Sequence, residues 1–331
     1  MPTLRSADAK PDPAVSPGAS RAAAGGPSRT LRAVARCGVL FVGGIALLIV
    51  VGEVEQSVLG RERIDARAIL WAGPIVLVAI VAALALARSL APRGEEWAWS
   101  GLAAYERPRW STRPASGTPF TSGTQFAFGT LLGGGLIALA AMVGWTSGLY
   151  AFAGTERAPP GALFALVSFA LLATVAAAGI EELVFRGGLF TEALRRLPPW
   201  GAIVAVSIPF ALVHFDKDGF GAGYLVSVVV LSILFCTLRL RSGSLWMPIG
   251  FHGGWNAVQY NLLGIGASEL PANGHALVQF ERTGSVLWLG DGTAIEGGLL
   301  VGGIAVAATM VAVWAWLRAD VGRTRRETNV R

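Results

Sequence analysis

Apolar residues run in long blocks along this chain, and polar residues fall in the gaps between them. Eight blocks stand out, at about 34–52, 68–87, 127–152, 162–186, 201–215, 222–239, 244–265 and 298–317. Most are near the ~20 residues a helix needs to cross roughly 30 Å of hydrocarbon. The pattern predicts an all-α fold, a polytopic transmembrane helical bundle of about eight spans. It also divides the chain. Residues 1–33, rich in Pro, Ala, Ser, Gly and Arg without periodicity, read as a disordered cytoplasmic tail. Residues 34–152 carry the N-terminal helices, interrupted by a polar, tryptophan-bearing loop at 88–126. Residues 160–265 form a helical core, and 266–331 hold an extracytoplasmic Gly-rich loop, the last span and a second cytoplasmic tail. No internal repeat is visible.

Composition agrees with this picture. With 53% hydrophobic and 15% charged residues and a mean hydropathy of +0.56, the chain is too apolar for a water-soluble domain. The formal charge of +6 sits largely on arginines in short loops and at the two ends, with no basic-aromatic stripe. That distribution argues against a nucleic-acid partner and orients the chain by the positive-inside rule. Arg36, Arg88, Arg93, Arg195, Arg196, Arg239, Arg241 and Arg318 all fall on one side of an eight-span bundle. Both termini are therefore expected in the cytoplasm, in the cytoplasmic (inner) membrane. An Arg/Ala/Gly-rich composition points to a high-GC bacterium. Trp200, Trp246, Trp314 and Trp316 lie where interfacial anchors belong. "GTLLGGG", Gly129 to Gly135, has the small-xxx-small spacing of closely packed helices. Cys37 and Cys236 form no CxxC pattern and read as packing residues.

The centres of the first three blocks and of the last lack ionisable residues, whereas the fourth, fifth and seventh hold Glu181, Glu182, Arg186, His214 and His252. Charge at bilayer depth costs several kcal/mol by most estimates, so such residues mark a pathway or a site. Counting from the nearest loop arginine or tryptophan at about 1.5 Å per residue puts Glu181 and His214 roughly 21 Å deep and His252 roughly 16 Å deep. Glu182 and Arg186, four apart, can neutralise each other on one helix face. Glu181 is turned about 100° away and is left for other work. Phe210 and His214 share a second face, and His252 and Asn256 a third, with Gly253 and Gly254 allowing close approach.

A carboxylate and a histidine within reach of one water polarise it for attack on a carbonyl. A second histidine and an asparagine amide can donate to the oxyanion that develops. Two histidines and a carboxylate also make a zinc set, so Glu181, His214 and His252 remain open as metal ligands. The bland readings are a structural ion-pair cluster and interhelical hydrogen-bond glue.

Together the signatures "EELVFR" (Glu181–Arg186), "FALVH" (Phe210–His214) and "HGGWN" (His252–Asn256) resemble the EExxxR, FxxxH and HxxxN/B motifs of the CPBP family. These are the CAAX-protease and bacteriocin-processing (Abi-type) intramembrane endopeptidases. Order and spacing agree over about residues 160–265. The resemblance implies a catalytic core in which Glu181 and His214 activate water, His252 and Asn256 stabilise the oxyanion, and Glu182, Arg186 and Phe210 support them. It implies as partners membrane lipid and a membrane-associated or lipidated peptide or lipoprotein. No cofactor beyond a possible zinc ion is implied. From other classes, a proton- or ion-coupled transporter would use Glu181, His214 and His252 as a relay, and an inactive scaffold would only bind a membrane partner. A transporter should show inverted repeats, and none is found.

Overall fold

The computed structural model describes residues 27–59, 66–93, 121–215, 219–265, 276–292 and 294–328. Its helices are α1 (Pro27–Leu59), α2 (Ala66–Leu90), α3 (Ser122–Thr146), α4 (Pro160–Glu182), α5 (Phe190–Leu194), α6 (Pro199–Leu212), α7 (Ala222–Ser242), α8 (Trp246–Asn256), α9 (Val286–Leu289) and α10 (Leu299–Thr328). Two π-helical stretches, Leu183–Leu189 and Ala257–Leu262, continue α4 and α8 without a break.

Six helical runs are long and apolar enough to cross a membrane: Thr30–Val58, Arg67–Leu90, Ser122–Thr146, Pro160–Leu194, Ala222–Ser242 and Leu299–Arg318. The chain is an all-α, multi-pass membrane protein. The other two apolar blocks form shorter helices. α6 has 14 residues, or about 21 Å at 1.5 Å per residue, and α8 with its π stretch is similarly short. α8 is buried among longer helices, whereas α6 keeps one exposed apolar face with Val204, Ile208 and Leu212. Leu131, Phe164, Leu70 and Val311 point outward from those long helices, where lipid tails accept apolar side chains at no penalty.

Boundaries differ from the sequence reading in three places. α1 begins at Pro27, inside the segment expected as tail, and runs on to Leu59. α3 stops at Thr146 rather than 152, because Ser147 caps it and Gly148 takes a left-handed φ of 74°. The next residues form β1 (Tyr150–Thr155), which pairs antiparallel with β2 (Val278–Arg282) in the segment expected as loop. Residues 1–26 of the tail and 94–120 of the polar loop lie outside the described residues.

α4 is the centre of the bundle and packs against α1, α2 and α8. α7 lies against α6, α8 and α10. The tightest seam joins α3 to α8, and glycines make it. A Cβ on Gly129 would come 2.3 Å from the Met247 carbonyl oxygen, and one on Gly133 2.1 Å from that of Phe251. From the other side, a Cβ on Gly250 would come 2.2 Å from the Phe126 oxygen and one on Gly254 2.5 Å from that of Thr130. Backbone therefore lies on backbone, as the "GTLLGGG" spacing suggested. This seam sets the depth and rotation of α8, and with them those of His252.

Candidate active site

Three elements converge on one point. α4 delivers Glu181 and Glu182 at its last two positions, just where the helix widens. Wide turns of this kind gather at functional sites. α6 ends at Leu212, and His214 sits in the turn that follows. α8 carries His252 at its middle and Asn256 at its last position, before the second wide stretch.

Glu181 Oε2 lies 3.9 Å from His214 Nε2 and 3.9 Å from His252 Nε2. That oxygen is buried and has no hydrogen-bond partner among the described residues. Neither separation is a hydrogen bond, but each leaves room for one water at about 2.8 Å from both atoms. The distal ring nitrogens are already used. His214 Nδ1 lies 2.7 Å from the Phe210 carbonyl oxygen, and His252 Nδ1 lies 3.0 Å from Glu182 Oε1. Both acceptors can only accept, so both Nδ1 atoms carry the proton and both Nε2 atoms face Glu181.

Glu182 and Arg186 form the ion pair expected from their spacing, at 3.1 Å, with both side chains fully buried. Arg186 Nη2 donates to Ser232 Oγ at 2.7 Å. Its guanidinium carbon lies 4.0 Å from the centroid of the Phe210 ring and 4.9 Å from that of Phe235. Phe210 thus does two things: its ring carries the arginine by cation-π contact and its carbonyl orients His214. The Phe235 ring stacks on His252, with centroids 4.9 Å apart and planes at 20°.

The structure brings Glu181, His214 and His252 together, with Glu182, Arg186 and Phe210 packed behind them. Asn256 is half-buried one turn beyond His252. Ser232, Phe235 and Tyr224 of α7, the last with its ring 6.5 Å from that of His214, were not singled out in the sequence. They sit in a mostly apolar run, where Ser232 is one of several buried polar residues beside Ser227 and Thr237 and so does not stand out.

As placed, the trio does not fit a zinc ion. Donors about 2.0–2.1 Å from a tetrahedral metal stand about 3.3 Å apart, whereas both glutamate–histidine separations are 3.9 Å. No cluster of three His, Cys, Asp or Glu among the described residues meets metal-holding geometry.

Beside the site lies a cavity of about 470 Å³ between α2, α3, α4 and α8. Its walls are almost wholly apolar and include Ala176, Gly179, Ile180 and Leu183 of α4 and Ile249 of α8. The glutamates share one of these helices and His252 the other.

A buried carboxylate–histidine centre thus lies inside the polytopic bundle. Residues 163–258 match the family model of type II CAAX prenyl endopeptidases, Rce1-like. Over that segment the chain is similar to the CAAX-type (CPBP) intramembrane proteases, and the resemblance carried by its motifs is borne out. No curated protein matches the chain.

Proposed function

We propose that this protein hydrolyses a peptide bond of a membrane-anchored or lipidated peptide with a water activated by glutamate and histidine. The observation that carries this is the position of Glu181 Oε2, buried, unpartnered and equidistant at 3.9 Å from two imidazole Nε2 atoms.

In this reading a water among the three groups gives its proton to Glu181 as its oxygen attacks the carbonyl carbon. His214, its Nδ1 proton held by Phe210, presents a lone pair that orients the water. His252 can donate to the oxyanion only while Nε2 also bears a proton. Its ring lies between Glu181, whose Oε2 is 3.9 Å from Nε2, and Glu182, whose Oε1 is 3.0 Å from Nδ1. The Asn256 amide supplies a second donor. Collapse of the tetrahedral intermediate breaks the C–N bond, and the proton held by Glu181 passes to the leaving amine.

An apolar substrate is supported by the cavity, whose volume lies within the ~300–1,000 Å³ typical of ligand pockets. A cytoplasmic-membrane location with both termini inside is supported by the end of the bundle where Arg36, Arg195 and Arg196 gather on Glu192. Trp200 there meets Trp316 edge-on at 5.1 Å.

The test is cleavage of a mixed peptide and lipopeptide library by the purified, detergent-solubilised protein beside Glu181→Ala and His214→Ala. Loss of cleavage in both variants, with folding retained, supports the reading. Absence of cleavage by folded wild type would return the site to a proton relay or a binding scaffold.

A further inference from the structure

The motifs lie on α4, α6 and α8, yet a fourth wall of the site comes from α7. Ser232 and Phe235, three residues apart on one face of that helix, are both buried and belong to none of the motifs. We propose that they are positioning residues that set the tautomer and the ring plane of His252. The kinetic part of this inference rests on the hydrolytic reading; the tautomer does not.

The argument runs through Arg186. Its side chain is fully buried and its guanidinium is a rigid plane. Three contacts hold that plane: Ser232 Oγ on Nη2 at 2.7 Å, Glu182 Oε1 on Nη1 at 3.1 Å, and the Phe210 ring against its face. Glu182 Oε1 is shared, since it also lies 3.0 Å from His252 Nδ1. Anchoring one edge of the plane on Ser232 therefore fixes where the other edge holds the carboxylate. The carboxylate in turn keeps the imidazole proton on Nδ1. Take the hydroxyl away and a buried N–H loses its acceptor, a state the guanidinium relieves by turning. Glu182 would turn with it, and His252 would lose the partner that chooses its tautomer. Phe235 acts on the same ring in the other dimension. Stacked at 20° on the imidazole and 4.9 Å from the guanidinium carbon, it blocks rotation of the ring out of the plane that aims Nε2 at Glu181.

The chain has three histidines, His214, His252 and His275, so ring-nitrogen spectra of the full-length, 15N-histidine-labelled protein in micelles are simple enough to assign, with His252→Gln identifying its signals. In wild type the neutral His252 ring should carry its proton on Nδ1. Ser232→Ala should populate the other tautomer and lower kcat roughly tenfold with KM within about twofold, the scale expected when a supporting partner of a site histidine is lost. Ser232→Thr, which keeps the hydroxyl, should restore both. Phe235→Leu should broaden or split the His252 signals and lower kcat in the same way, which keeps the test alive if Ser232→Ala fails to fold. A wild-type His252 spectrum in folded Ser232→Ala would overturn the proposal, and so would a fall in kcat without a change in that spectrum. If wild type cleaves nothing, the hydrolytic reading fails while the spectra still decide the tautomer.

Discussion

Nδ1 of His252 stands 3.0 Å from Oε1 of Glu182. The opposite nitrogen of the same ring faces the neighbouring glutamate, Glu181, at 3.9 Å. Adjacent helical positions are turned about 100° from each other, and this divides the labour of the pair. Glu182 is committed to Arg186 and His252, whereas Glu181 Oε2 has no hydrogen bond among the described residues.

Glu182→Gln is expected to destabilise the fold as well as slow the enzyme. Removing one partner of a buried pair leaves the other charge uncompensated, at a cost of about 3–5 kcal/mol. Thermal unfolding in detergent should show this, and Glu182→Gln with Arg186→Met should be more stable than Glu182→Gln alone. A double-mutant cycle with no coupling between the two sites would refute the pairing.

Glu181→Gln should behave in the opposite way. Activity should fall roughly 10²- to 10⁴-fold, the range for loss of a general base, while the unfolding temperature holds or rises because Glu181 Oε2 makes no hydrogen bond among the described residues that could be lost. A zinc chelator should leave the wild-type rate unchanged, since the donors stand too far apart for tetrahedral coordination. Inhibition reversed by added zinc would count against the metal-free mechanism.

The α3–α8 seam makes a paired test. Gly133→Ala places a methyl group 2.1 Å from the Phe251 carbonyl oxygen, a backbone atom that cannot swing aside, whereas Gly135→Ala meets nothing within 4 Å. The first should push α8 away, with activity lost and unfolding temperature lowered. The second should match wild type in both measurements, and equal behaviour of the two would show that the seam does not set the position of His252.

Ala176→Phe projects a ring into the 470 Å³ cavity. KM for a lipidated peptide should rise about tenfold, roughly the 1.4 kcal/mol that corresponds to a decade, while a short unlipidated peptide is cleaved as before. An equal rise for both substrates would place lipid recognition elsewhere.

Much of the bundle was legible from hydrophobic blocks, because a span must be apolar along its whole length. The same rule hides short helices: residues 201–215 and 244–265 read as spans, yet they fold into α6 and α8, which are shorter than the six long helices. Ionisable residues in apolar surroundings exposed Glu181, Glu182, Arg186, His214 and His252, and their i,i+4 spacing anticipated the Glu182–Arg186 contact. What stayed hidden was whatever looks like ordinary lining. Phe235 is one aromatic in an aliphatic run, and strand β1 continues the apolar block of the helix before it. Around Leu183–Leu189 only the Gly187–Gly188 pair hints at a departure from a regular helix, and nothing there says that it takes the form of a wider pitch.

That change of pitch has a consequence for how the chain tolerates change in length. A π-helical stretch closes its hydrogen bonds over five residues instead of four and so behaves as a one-residue insertion absorbed within a helix. Deleting a single residue near Gly187 or Gly188 would let Leu183–Leu189 revert to α and turn everything after it by about 100°. Glu181 and Glu182, which lie upstream, would keep their places. Glu192 would swing away from Arg36 of α1, and α6 with His214 would be re-aimed. The chemical end of this helix and its anchoring end are thus kept in phase by one surplus residue, so the spacing between them is as much a part of the site as the side chains.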